Sequence, residues 1–474
     1  VAARRSLYKD IFAKLAAAGV KKNDLQIAWD FTTASRANNT RMLVAMRDKD
    51  FGIWQEKTWG RLWDEVVTAA HALLDVGVSV GDVVSIHSED RPEWIILDLA
   101  TVAIGGITTG LYPTNPMAEV VYLVNDSGAA VHFAEDQEQV DKVLEAEPGS
   151  FPLVKKILYV EPRGVRNYDD DRLEFWDDFM ERGRAHRAAN EGAVEALMAQ
   201  AEAEDVMTLV YTSGTTGPPK GAMLTNANAE FAITKIVRAP NRTADGKPPG
   251  TNDQVLTYLP LCHVAERIFS TWTMVGTGCV LNFAESIETV QVNLREVQPT
   301  LFFAVPRIWE KFHTGVSTKL GQATGFKKIL VNWAMGVGER VNNDRMLGRG
   351  EPGGFLGWQY GMADKLIFSK LKPAIGLGKA RACVSGAAPI SREVLEFFAK
   401  LDIIVLEVYG QSEDTGPTTF NQPEKFRFGT VGPMIPGCEV KIASDEEILV
   451  KGPNVFLGYY KDEAATDEAL KDGW

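Results

Sequence analysis

Positive charge is in short supply in this chain of 474 residues: 50 Lys and Arg stand against 63 Asp and Glu, a formal net charge of −13. Affinity for nucleic acid rests largely on cations that neutralise phosphates, so no nucleic-acid partner is expected. Cysteine is scarce as well. Cys262, Cys279, Cys383 and Cys438 lie far apart with no C-x-x-C pair, which argues against a zinc site and against a disulfide framework. Reducing, cytoplasmic surroundings fit that usage best. Long apolar runs are missing. The most apolar stretch, Trp94 to Leu111, is broken by Asp98 and three glycines, so it reads as a buried helix and strand rather than a membrane span. No charged-then-apolar leader opens the chain, and it holds no internal repeat or low-complexity tract. What remains is an ordinary globular composition, 45% hydrophobic and 24% charged. The length suggests two to four units of ~150 residues each.

Apolar periodicity then gives the organisation. Residues 1–48 read as helix, strand, helix: Leu7, Ile11, Phe12 and Leu15 share a helical face, and Leu25 to Phe31 alternates. Thr33 or Ser35 would cap the second helix. From Phe51 onward, strands and helices alternate. Leu62 to Leu74 and Trp94 to Val102 read as helices; Val83 to Ile86, Ala130 to Phe133 and Lys156 to Tyr159 read as strands. Such alternation implies parallel sheets covered by helices, an α/β fold. Gly192 to Ala203 is a polar helix, while 238–253 and 346–354 are polar loops. Short Gly/Pro-punctuated strands over 429–450 suggest a small β unit.

The chemistry concentrates in Tyr211-Thr-Ser-Gly-Thr-Thr-Gly-Pro-Pro-Lys-Gly221. Gly214 and Gly217 let backbone N–H groups approach an anion. Thr212, Ser213, Thr215 and Thr216 add hydroxyls, and Lys220 adds a point charge. The spacing is not that of a Walker loop, because two residues separate the glycines and two prolines precede the lysine. A Ser/Thr/Gly-rich surface turn is the bland alternative. The order of residues, directly after the apolar run 206–210, favours a phosphate cradle.

This loop resembles the signature of AMP-forming, acyl-adenylate enzymes. Four further segments follow in that superfamily's order: Leu259 to Arg267, Val305-Pro-Arg-Ile-Trp-Glu-Lys311, Ser385-Gly-Ala-Ala-Pro389 and Tyr409-Gly-Gln-Ser-Glu413. The forms around His263 and Trp309 are most similar to the long-chain fatty acyl-CoA synthetase branch. The resemblance runs from about residue 51 to 474. It implies two stacked α/β/α subdomains (about 49–250 and 251–400), a small β-barrel-like unit (401–474), and an atypical extension at 1–48. In that superfamily a T-G-D motif and a C-terminal domain with a catalytic lysine follow the last Gly-Trp, so this chain is expected to be the large N-terminal part alone.

The resemblance also assigns roles. The cradle Thr212 to Lys220 takes the β- and γ-phosphates of ATP, and Thr212 with Glu413 reaches Mg²⁺. Gly386, Ala387 and Ala388 face adenine, on which Tyr409 stacks. Gly410 and Gln411 continue that wall, and Ser412, where relatives often carry threonine, meets the α-phosphate. His263 orients the acyl carboxylate without abstracting a proton, because a carboxylate is already ionised at neutral pH. Trp309 gates the acyl tunnel. Glu266 and Arg267 read as either a local ion pair or part of that motif. Catalysis by positioning and charge neutralisation needs no Ser-His-Asp set.

The implied function is a long-chain fatty acid–CoA ligase using ATP, Mg²⁺ and CoA. A homodimer and a peripheral membrane contact are compatible with it. Two alternatives stay open: an adenylating enzyme that passes its acyl group to a carrier protein or reductase, and a non-catalytic ATP- or acyl-binding fragment.

Overall fold

The computed structural model describes residues 42–212 and 217–474. The helices and strand expected over 1–41, with the caps at Thr33 and Ser35, lie outside the described residues. The chain enters through β1 (Val44–Asp50) and β2 (Ile53–Thr58), then α1 (Trp59–Val76). Alternation follows: β3 (Val83–His87), α2 (Pro92–Ala103), β4 (Ile107–Leu111), α3 (Met117–Ser127), β5 (Ala129–Ala134), β6 (Lys156–Tyr159), β7 (Leu173–Phe175) and α4 (Trp176–Ala189). The hairpin β8 (Val206–Thr212) and β9 (Lys220–Thr225) closes the first unit. The second contains α5 (Asn226–Phe231), β10 (Gln254–Thr257), α6 (Val264–Arg267), β11 (Val280–Phe283), β12 (Leu301–Ala304), α7 (Pro306–Gly321), α8 (Gly325–Met346) and α9 (Gly354–Ala363). It continues through β13 (Ala382–Ser385), α10 (Arg392–Lys400), β14 (Val405–Gln411) and β15 (Gly416–Phe420). Last come β16 (Glu439–Ile442), β17 (Ile448–Lys451), β18 (Gly458–Tyr459) and α11 (Glu463–Ala469).

Two eight-stranded sheets result, ordered β18-β9-β8-β4-β3-β5-β6-β7 and β15-β14-β13-β12-β10-β11-β1-β2. Both are parallel inside and antiparallel only toward their ends, at β18–β9–β8, β14–β15 and β1–β2. Every residue of β3, β4 and β5 is buried, as a sheet covered on both faces requires. Local signals set the helix limits. Thr58 caps α1 by accepting from the Arg61 amide, and Gly77 ends it at φ +85°.

Three expectations change. Residues 44–48 are not part of a separate extension: β1 straddles that boundary and lies between β11 and β2. With β2 it therefore belongs to the second sheet, although it precedes the first in sequence. The polar helix over 192–203 shortens to Ala193–Met198. In place of a barrel-like unit there is a two-stranded ladder, β16–β17, because β15 and β18 are taken up by the large sheets.

The sheets meet where β4 passes the segment before α6. Gly110 is required there: a Cβ would stand 2.7 Å from the Cys262 Cα. The same junction holds a buried ion pair. Arg267 on α6 binds Asp98 of α2 and Thr208 of β8, and its guanidinium lies 5.3 Å from the Trp94 ring centroid. Thr108 donates to the same Asp98 oxygen at 2.5 Å. One guanidinium thus ties the helix that His263 begins to α2 and to the first sheet.

Candidate active site

The signature segment is the tip of the β8–β9 hairpin. Thr212 pairs across the ladder with Lys220, so the segment is held between two strands. Ser213, Gly214, Thr215 and Thr216 lie outside the described residues. Gly217 has φ +89°, a conformation open to glycine at little cost. The hairpin is anchored from below: Tyr211 donates to Asp126 at 2.6 Å, and Tyr122 donates to the Pro219 carbonyl at 2.9 Å.

Glu413 reaches this hairpin from the second sheet. It follows β14, in a short turn of 3₁₀ helix. The Thr212 hydroxyl donates to its Oε1 at 3.3 Å across 201 residues of sequence. Tyr459 donates to the same oxygen at 2.8 Å, and the Lys220 ammonium sits 5.4 Å from the Tyr459 ring centroid. Tyr459 has no place in the expected set. It is brought in because β18 adds to β9, pairing Tyr459 with Ala222. Nothing in the sequence marks that pairing beyond an aromatic pair after a glycine. Thr212 and Glu413 together offer two hard oxygens at one point. No group of three His, Cys, Asp or Glu side chains suited to a metal occurs among the described residues. That donor set fits a magnesium ion held mainly by phosphate and water, which needs only one or two protein contacts.

His263 caps α6. Its Nδ1 accepts from the Ala265 amide at 3.1 Å, and burial lowers its pKa. A neutral ring that accepts at Nδ1 carries its proton on Nε2, which makes that atom a hydrogen-bond donor. Glu266 and Arg267 do not pair with each other. Arg267 belongs to the Asp98 pair, while Glu266 shares the Thr257 hydroxyl with Asp90, at 2.5 and 3.0 Å. Thr257 has one proton for two carboxyl groups, so at least one of these must itself be protonated. Burial pushes Asp90 up to about 8 and Glu266 well above the carboxylate range. The folded protein therefore holds a proton that the unfolded chain releases near pH ~4. This contribution to stability is complete below that pH and is lost as pH rises toward about 8. The expected slope is up to ~1.4 kcal/mol per pH unit. Urea unfolding between those limits should show it, and Glu266→Gln should flatten it. Equal slopes in both proteins would dismiss the shared proton.

The adenine segment follows β13 as a tight turn. Gly386 is buried against Val408 and Phe303: a Cβ there would lie 2.6 Å from Val408 Cγ2 and 3.4 Å from the Phe303 ring. Ala387 has φ +67°, uncommon outside glycine, and it stands exposed with Ala388. Tyr409, half-buried on the adjacent β14, has its phenol pKa raised by burial. Gly410 and Gln411 finish that strand, and Ser412 opens the turn that carries Glu413.

Trp309 falls elsewhere. It is fully buried, donates from its indole to the Val384 carbonyl at 3.2 Å, and packs edge-on against Phe302, Phe312 and Phe398. These are the contacts of a core side chain.

The site therefore joins a hydroxyl-rich hairpin, a carboxylate from the facing sheet and a small-residue turn. The AMP-binding enzyme family matches residues 32–460. The chain belongs to that family. Long-chain-fatty-acid–CoA ligase ACSBG2 of Homo sapiens is 32% identical over 439 residues, which cover 91% of this chain and 64% of that protein. FadD15 of Mycobacterium tuberculosis, also named a long-chain-fatty-acid–CoA ligase, is 34% identical over 423 residues, 89% of this chain and 67% of its own length. The chain thus spans about two thirds of these relatives. Among solved structures, the inhibitor-bound N-terminal domain of FACL13 from M. tuberculosis superposes with a TM-score of 0.67 at 19% identity, covering 94% of both chains. Apo MatB from Rhodopseudomonas palustris gives 0.63 at 20% identity, covering 94% of this chain and 74% of its own. These two confirm the fold.

Proposed function

We propose that this chain is the adenylate-forming part of a long-chain fatty acid–CoA ligase. The observation that carries the reading is the meeting of Thr212 and Glu413 beside Lys220, at the tip of the hairpin. In this reading the hairpin and Lys220 bind the β- and γ-phosphates of ATP. Gly386 to Ala388 and Tyr409 hold adenine, and Ser412 meets the α-phosphate. His263 donates Nε2–H to the acyl carboxylate or to a phosphate oxygen as the carboxylate displaces pyrophosphate. A bound Mg²⁺ would supply charge neutralisation between Thr212 and Glu413. Transfer to the thiol of CoA belongs to the full-length protein. We place the start of the adenylating unit at β1, since that strand is built into its second sheet.

No helix among the described residues is long and apolar enough to cross a membrane. A peripheral contact would suit an oily substrate, and the exposed pair Phe355 and Trp358 on α9, stacked at 5.7 Å, is the point we assign to it.

The test is pyrophosphate release by the full-length protein with MgATP, over unbranched acids from acetate to stearate, with and without CoA. A maximum at long chains with CoA-dependent turnover is expected. Activity confined to short or aromatic acids would overturn the substrate class. Release from long acids without any CoA dependence would favour an acyl carrier or reductase as acceptor.

A further inference from the structure

An apolar pocket lies directly behind the adenine turn. Phe303 of β12 forms part of its wall and also touches the space above Gly386. Phe269, in the helix that His263 begins, stacks on Phe303 at 4.4 Å. Ile236, Val384 and Phe420 close other sides. The position suits the acyl chain of a substrate activated at His263. The lining holds one charge, Arg242. This residue is 5% exposed, and its Nε and Nη1 have no hydrogen-bond partner among the described residues. Its guanidinium rests on the Phe420 ring, 4.7 Å from the centroid.

A buried guanidinium without a counter-charge is costly and is normally paired. Packing alone does not call for arginine here, since methionine or leucine would fill the same space without the cost. The Phe420 ring gives partial compensation but accepts nothing from the in-plane N–H groups. Burial even lowers the arginine pKa to about 10, and no acidic neighbour among the described residues opposes it. An ordinary fatty acid offers such a group nothing, because its far end is a methyl.

We propose that Arg242 is a specificity residue that binds an anionic group at the far end of the acyl substrate, so that the preferred acids are α,ω-dicarboxylic rather than simple fatty acids. The inference rests on the adenylation reading above and narrows its substrate class. One carboxylate is activated beside His263, and the other pairs with the guanidinium through charge-assisted hydrogen bonds, a geometry that arginine matches well. Sites built to pair with a polar group discriminate strongly against analogues that lack it.

The experiment compares octanoic, dodecanoic and hexadecanoic acids with the dicarboxylic acid of each length. Pyrophosphate release by the full-length protein is measured in wild type and Arg242→Met. Wild type should favour at least one diacid over its matched monoacid by about tenfold or more in kcat/KM. Arg242→Met should reverse that preference while keeping or improving use of the monoacid. Wild-type turnover of monoacids with no gain from any diacid would overturn the proposal whatever the variant does. So would an equal fall on both substrates with a lower melting temperature, which would make Arg242 a structural residue. If no acid of either kind releases pyrophosphate, the adenylation reading itself fails, and this inference falls with it.

Discussion

Glu413→Gln should lower pyrophosphate release by the full-length protein about 10²–10³-fold, the usual cost of removing one charge-stabilising group from a preorganised site. The substitution keeps the shape and leaves an amide oxygen to accept from Tyr459, which donates at 2.8 Å in the wild type. Only the negative charge between Thr212 and Tyr459 is lost. The melting temperature should therefore stay close to that of wild type. Tyr459→Phe should give a smaller loss, because it frees the carboxylate without neutralising it. A Glu413→Gln enzyme with undiminished kcat/KM would remove the carboxylate from the reaction and leave it as a strut between the two sheets.

The largest loss of stability should come from Asp98→Ala. Arg267 and Asp98 are both almost wholly inaccessible to solvent, and the substitution leaves the guanidinium buried beside Trp94 without its counter-charge. Breaking such a pair from one side costs about 3–5 kcal/mol. At ~2.1 cal/mol/K per residue, that corresponds to about 3–5 °C in a calorimetric melt of a protein this size. Replacing both partners by apolar residues, as in Asp98→Leu with Arg267→Met, should recover most of the loss, because no orphan charge remains. If the double variant is as unstable as the single one, the role of this cluster is the register of α6 against the first sheet rather than charge compensation.

Much of the fold was legible from local pattern. The strands at Val83, Ala130 and Lys156 and the helices after Thr58 and at Trp94 stand within a few residues of where their apolar spacing puts them. Parallel strands buried on both faces are near-continuous apolar runs, and those are easily seen. The sites read from motifs came together in part. Thr212, Lys220 and Glu413 meet, and His263 stands at the head of its helix. Trp309 does not join them, because aromatic spacing after a strand is the same for a gate and for a core residue.

The α/β class, the family and the chemical character of the hairpin are all legible in the sequence, since each depends on residues adjacent in the chain. Packing alone settles which sheet takes β1, which tyrosine reaches Glu413, whether Glu266 pairs with Arg267 or with Asp90 through Thr257, and that Arg242 Nε and Nη1 find no partner among the described residues. Each of these turns on contacts between segments tens to hundreds of residues apart. Burial and partnership are properties of the packed whole, and no window of sequence contains them.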